Sequence, residues 1–157
     1  TEVARERILA SVLRKVADDY DVILIDCQPS LGLLTVNALT ASHGVLIPLA
    51  SEFFALRGVA LLIETIEKVK SRLNPQLELD GIIATMFDSR TLHAREVLDR
   101  VVDTFDEKVF DTVIRRTVKV PDASIAAKPV LDYAPENAAA EAHLTLAREL
   151  IHRGLIA

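Results

Sequence analysis

The chain has no tryptophan, and only two tyrosines and five phenylalanines among 157 residues. Its core must therefore be aliphatic, built from the Leu, Ile, Val and Ala that dominate a 50% hydrophobic composition. Cys27 is the sole cysteine, which excludes an intrachain disulfide and fits a reducing compartment. With no activating His or cation beside it, Cys27 reads as a small buried residue. No apolar run reaches the ~20 residues of a helical membrane span. Positive charge is not in excess, since 18 Lys and Arg face 23 Asp and Glu. That balance excludes a uniformly basic nucleic-acid binder but allows a local basic patch. His43, His93, His143 and His152 show no metal-ligand spacing, and Ser30 lacks a glycine-flanked nucleophile elbow. None of the five glycines precedes a lysine, so the chain carries no glycine-rich phosphate loop.

Thr1-Glu2-Val3-Ala4-Arg5 has no signal-peptide shape and no initiator Met. It opens directly onto a helical pattern, as expected of a fragment or trimmed chain, or of a processed natural start.

What is present is an alternation of two periods. Ile8, Leu9, Val12, Leu13 and Val16 predict an amphipathic helix over residues 3–18. Val22-Ile23-Leu24-Ile25 is too short for a helix and reads as a strand buried on both faces. A helix is expected from Leu31 to Ala41 with Ser30 as N-cap. A second strand covers Val45-Leu46-Ile47 and ends at Pro48. Apolar residues from Leu56 to Leu73 mark a long helix closed by Asn74-Pro75. Further strands are expected over Gly81–Met86 and Val109–Ile114, with a helix over Ala94–Phe105 between them. Residues 115–135 read as a surface loop with room for a short helical turn. The last helix runs from Ala139 to Ile151 and stops at Gly154. The pattern predicts a single α/β domain over residues 1–157, with a mainly parallel sheet and helices on both faces. In such sheets ligands bind at the carboxyl ends of strands. The residues to examine are thus Asp26, Pro48 to Glu52, Met86 to Arg90, and Arg115 onward.

Asp26 ends an apolar strand, where a carboxylate can orient Mg2+ or its water ligands. The same position suits an Asp that caps the following turn through backbone N–H groups. Arg115, Arg116, Lys119 and Lys128 are opposed only by Asp122, and Arg90 and Arg95 come from a neighbouring strand end and helix start. Such a set either binds phosphates without sequence preference or forms an ordinary solvated surface. No aromatic interleaves these cations, which argues against stacking on single strands.

Residues Tyr20 to Leu39, reading YDVILIDCQPSLGLLTVNAL, resemble the Walker B region of the ParA/Soj-type partition ATPases, a deviant-Walker P-loop family. Glu52 to Gly58 is similar to that family's "EYYALEG", and Thr85 to Thr91 to its "TMYDART". Lys128-Pro129-Val130 and Ala140-Glu141-Ala142 match its carboxy-terminal pattern. Several matches in order, over nearly the whole chain, carry the resemblance. The chain departs from it at Gln28 (family Pro), at Arg57 (family Glu) and at Ile114-Arg115-Arg116-Thr117 (family "IPRN"). Residues 120–127 also depart, standing where the family has "LSEAPSHG".

The resemblance implies a P-loop NTPase-like fold whose first strands and phosphate loop would lie upstream of Thr1. It implies that Asp26 is the Walker B acid, acting on Mg2+ through water. Met86, Asp88 and Arg115 would lie by the nucleotide base. Arg90, Arg116 and Lys119 would meet DNA phosphates, and Glu52 to Gly58 would lie by a sandwich dimer interface. The implied function is chromosome or plasmid partition in a cytoplasmic, nucleoid-associated protein. ATP and Mg2+ would be the cofactors of the full-length family, with none bound by this chain alone. Non-specific duplex DNA, a ParB-like centromere-binding protein and a second copy would be its partners. The family hydrolyses ATP, and this chain alone is expected to be inactive. The other reading is a non-catalytic DNA- or protein-binding module with no nucleotide cycle.

Overall fold

The computed structural model describes residues 5–50 and 55–156, and the side chains of residues 55 and 56 are outside the description. The fold is α/β with parallel strands, as the alternation predicts. Its elements are α1 (Ile8–Leu13), α2 (Leu33–Ala41), β1 (Gly44–Ala50), α3 (Ala55–Arg72), β2 (Glu78–Thr85), α4 (Leu92–Phe105), α5 (Lys119–Ile125), α6 (Val130–Tyr133) and α7 (Ala138–His152). β1 and β2 are hydrogen-bonded neighbours, and α3 is the crossover between them. The described residues form two compact units. One is drawn from Thr1–Leu46, Arg57–Asp80 and Leu155–Ala157, the other from Ile47–Leu56 and Gly81–Gly154.

In the first unit a buried amide organises the chain. Asn37 Oδ1 accepts from the Leu9 N–H at 3.2 Å, and its Nδ2 donates to the Arg5 and Leu33 carbonyls at 2.9 and 3.0 Å. One side chain thus ties the start of α1 to α2. Asn74 does the same at the other end of α2, donating to the Leu39 and Ser42 carbonyls at 3.0 and 2.7 Å. Those carbonyls have no partner within the helix, so Asn74 supplies what the helix end leaves open. Val59, Ile66 and Val69 form the buried stripe of α3, and Leu39 and Leu77 are buried in the same unit.

Three expectations fail in this unit. The helix over residues 3–18 is only α1 flanked by 3-10 turns at Arg5–Arg7 and Ala17–Asp19, and residues 3 and 4 lie outside the described residues. Leu9 and Leu13 are half-buried while Ile8, Val12 and Val16 face solvent, so packing supports only part of a helix this short. Ser30 does not cap α2; Gly32 occupies the N-cap, and the Ser30 carbonyl accepts from the Thr35 hydroxyl. Val22 to Ile25 form no strand, and Leu24 is 82% exposed. A strand is made by its ladder partners, and no described strand or bridge pairs with this segment.

In the second unit β1 continues through Pro48 to Ala50, beyond the expected stop. Pro48 is exposed and Ile47 and Leu49 are buried, the pattern of an edge strand that can forgo one N–H. Segment 109–115 runs parallel to β2 through bridges Ile82–Val109 and Phe87–Arg115, but it is not a continuous strand as expected. The cause is α7. Glu149 Oε1 accepts from the Asp111 N–H at 2.9 Å, and Oε2 accepts from the Thr112 N–H at 2.9 Å and its hydroxyl at 2.6 Å. Arg153 pairs with Glu149 at 2.8 Å, donates to the Glu107 and Val109 carbonyls at 2.8 and 2.9 Å, and lies 4.2 Å over the Phe110 ring. Phe110 packs on Gly81 of β2, where an added Cβ would meet the ring and the Lys108 carbonyl at 2.7 Å. Residues 115–135, expected as a loop with one helical turn, contain the two short helices α5 and α6.

Helix α5 ends with Ala127 at φ 51°, its Lys128 N–H returning to the Ala123 carbonyl and its Ala127 N–H to that of Ser124. This is the capping turn that usually takes glycine, and the resembling family stretch has glycine there. A Cβ in this left-handed conformation costs more than the extra freedom of an unfolded glycine. Ala127→Gly is therefore expected to stabilise the chain by about 0.5–1 kcal/mol, read as a higher urea midpoint at unchanged m-value.

Burial opposes ionisation of Glu149. The Thr112 hydroxyl, the Asp111 and Thr112 N–H groups and Arg153 outweigh it and hold the carboxyl below its usual range. The native pKa is depressed, so this stabilisation is present above the unfolded value of about 4.3 and is lost as pH falls through the native one. Glu149→Gln is expected to cost about 1–3 kcal/mol at neutral pH and to flatten the acid limb of stability against pH. Denaturant melts across pH 2 to 7, as a range of roughly ordinary carboxylate titration, check both.

Candidate functional site: the carboxyl end of β2

β2 does not run straight off its end. The Ile114 N–H donates to the Ala84 carbonyl at 2.9 Å, but the next returning bond comes from the Phe87 N–H to the Ile114 carbonyl at 3.2 Å. The Arg116 N–H then donates to the Phe87 carbonyl at 3.1 Å. One extra residue has entered the β2 side of the ladder, and Met86 carries it at φ 50°. This is a bulge with a non-glycine residue in the left-handed region, a strained arrangement that concentrates at working sites. It leaves Met86 51% exposed and sets Phe87 to Arg90 beside Arg115 and Arg116.

The turn after the bulge is tied at both ends. The Asp88 carbonyl accepts from the Thr91 N–H and hydroxyl at 3.2 and 3.0 Å. Thr91 Oγ1 in turn accepts from the Ala94 N–H as the N-cap of α4. Arg90 folds back on Asp88: Nε and Nη2 meet the two carboxylate oxygens at 2.9 and 2.7 Å, and the Arg90 N–H adds a bond at 3.0 Å. These side-chain and backbone bonds from Arg90, with the charge of Arg116 adding to them, hold the Asp88 carboxyl far below the usual carboxylate range. Arg95 turns to the Ser89 carbonyl, with Nε at 2.9 Å.

Of the residues expected to act, Met86, Asp88, Arg90, Arg115 and Arg116 come together at this strand end. Arg115 and Arg116 are exposed, and Lys119 is half-buried as the first residue of α5, with its N–H on the Thr117 hydroxyl. A cation in a helix's first turn opposes the helix dipole, so Lys119 is not placed there for helix stability. Asp26 is in the other unit, exposed on the irregular stretch before α2. Cys27 beside it is exposed rather than buried as expected, because the segment has no strand neighbour to cover it. Desolvation, then the charge of Asp26, push its thiol pKa up, away from the reactive thiolate. Residues 52–54 of the expected dimer segment lie outside the described residues.

Among the described residues no group of three or more His, Cys, Asp or Glu side chains could hold a metal ion. A single exposed carboxylate and no phosphate loop do not by themselves fit a nucleotide–Mg2+ group. No helix among the described residues is long and apolar enough to cross a membrane.

The family model described as an AAA domain matches residues 1–79. The chain is 46% identical over 152 residues to the chromosome-partitioning ATPase Soj of Treponema pallidum, covering 97% of this chain and 60% of that protein. The chain belongs to the AAA domain family, as a homologue of the ParA/Soj-type partition ATPases. An uncharacterised protein of Mycobacterium tuberculosis is 56% identical over 97% of this chain and 48% of its own length. The chain thus spans about half the length of the curated relatives it matches. Among solved structures, cobyrinic acid a,c-diamide synthase of Mycobacterium smegmatis with bound ADP and magnesium superposes with a TM-score of 0.68 at 45% identity, over 74% of this chain and 48% of that one. The AAA domain match takes in Asp26, and the Soj likeness extends over the bulged end of β2 as well.

Sequence reasoning missed the Met86 bulge, the Asp88–Arg90 clasp and the Glu149–Arg153 pair. Glu149 and Arg153 are four apart at the end of α7, which signals a pair but not the segment 37 residues away that Glu149 receives.

Proposed function

We propose that this chain is the part of a ParA/Soj-type partition ATPase that supplies the Walker B acid and a face for sequence-indifferent duplex DNA. In a complete nucleotide site Asp26 would be the Walker B acid and would help hold Mg2+ through its water ligands. Met86, Asp88 and Arg115 border the base, and Arg90, Arg116 and Lys119 meet DNA phosphates. ATP with Mg2+ supplies charge to be neutralised at the phosphates, and this chain alone lacks the loop and lysine to hold it. The protein works in the cytoplasm on the nucleoid, with a ParB-like centromere-binding protein and a second copy as partners.

The observation that carries the reading is the juxtaposition at the bulged end of β2. It joins residues from two distant stretches of sequence, at the strand end where open parallel sheets bind ligands. Arg115 and Arg116 are held at that strand end, with Arg90 following β2 on the other side of the ladder, and Lys119 follows as the first residue of α5.

Two measurements test this. Binding to unrelated labelled duplexes is expected to fall on all alike in the Arg90→Ala, Lys119→Ala double variant, with the log–log salt slope reduced by about 2. Equal slopes, or a strong preference for one sequence, overturn the DNA role. Steady-state phosphate release by the chain with ATP and Mg2+ is expected to match buffer. Turnover that survives repurification and disappears with Asp26→Ala overturns the incomplete-site reading.

A further inference from the structure

Arg90 already holds an oxyanion. Its Nε and Nη2 sit on the two oxygens of Asp88 at 2.9 and 2.7 Å. That fork is the geometry by which guanidinium binds phosphate. The two partners differ in freedom. The Asp88 backbone is set between the bulge and the capped start of α4, and its side chain is 27% exposed. The Arg90 side chain is 87% exposed, so when the pair opens it is Arg90 that swings out. Arg116, held by its N–H on the Phe87 carbonyl at 3.1 Å, is a second cation whose charge acts on Asp88.

We propose that Asp88 is an intramolecular stand-in for a DNA phosphate, occupying Arg90 in the DNA-free protein and giving it up when a duplex docks. Asp88 thereby sets how strongly this strand end holds DNA. The inference rests on the DNA-binding reading above and adds a residue of opposite charge that tunes it. A solvent-exposed pair is weak enough for a phosphate to displace, because docking also releases the counterions condensed on the duplex. The clasp therefore lowers affinity without abolishing it, and a single isolated phosphate competes with Asp88 less well than a duplex that engages Arg116 and Lys119 as well.

The test is polarisation of a labelled mixed-sequence duplex, titrated with the chain across a salt series. Asp88→Asn keeps an acceptor for the Arg90 N–H but removes the charge. It is expected to bind about two- to fivefold tighter at low salt, the range open to an exposed charge pair, with a salt slope steeper by up to about 1. Asp88→Glu restores the charge and is expected to stay near the unaltered protein. In an Arg90→Ala background the Asp88→Asn gain is expected to shrink to the part due to Arg116. An unaltered chain that binds DNA while Asp88→Asn brings no gain overturns the clasp and leaves the DNA reading standing. A gain of the same size with and without Arg90 also overturns the clasp, since only net charge would then matter. No binding by any variant overturns both.

Discussion

Asp111 and Thr112 give their backbone N–H groups to Glu149 rather than to a strand, and the second unit is organised around that choice. A carboxylate taking two N–H groups, a hydroxyl and a guanidinium is well satisfied despite its desolvation. Arg153 completes the arrangement by closing over Phe110 and taking the Glu107 and Val109 carbonyls. Segment 107–112 is thus held to α7 at one end. The chain beyond it rejoins β2 through the Phe87–Arg115 bridge.

That second attachment shapes the end of β2. The Met86 bulge shifts the ladder by one residue, so Asp88 and Arg90 follow the strand end as a tied turn beside Arg115 and Arg116. A regular strand would have alternated these side chains across two faces. The bulge exposes Met86 at the cost of a left-handed non-glycine residue, which the Glu149-held segment on one side and the Thr91 cap on the other keep in place.

Two features of the chain run against its own local rules. Ala127 sits where glycine is favoured, and Lys119 opens a helix whose dipole favours acids. The first is a simple loss of stability. The second adds a cation three residues after Arg116, at a position where the helix itself gains nothing from it.

The periodicities by themselves determined the α/β class, the crossover α3, and helices α4 and α7, because long amphipathic stripes bury one way only. The resemblance motifs, read in order, determined the family. Asp26, at the end of an apolar run, and the Asp88 to Arg90 turn after β2 were legible as positions of interest because apolar runs stop there. Tertiary structure alone decided the rest. Val22 to Ile25 has the composition of a buried strand, yet pairing is a property of neighbours, and the described residues give it none. Val109 to Ile114 also reads as a strand, but a glutamate far along the chain takes two of its N–H groups. The bulge is invisible in Thr85-Met86-Phe87, since register is set by the partner strand. Arg90 counted as a cation in the sequence, and only the fold shows that a carboxylate two residues away already holds it.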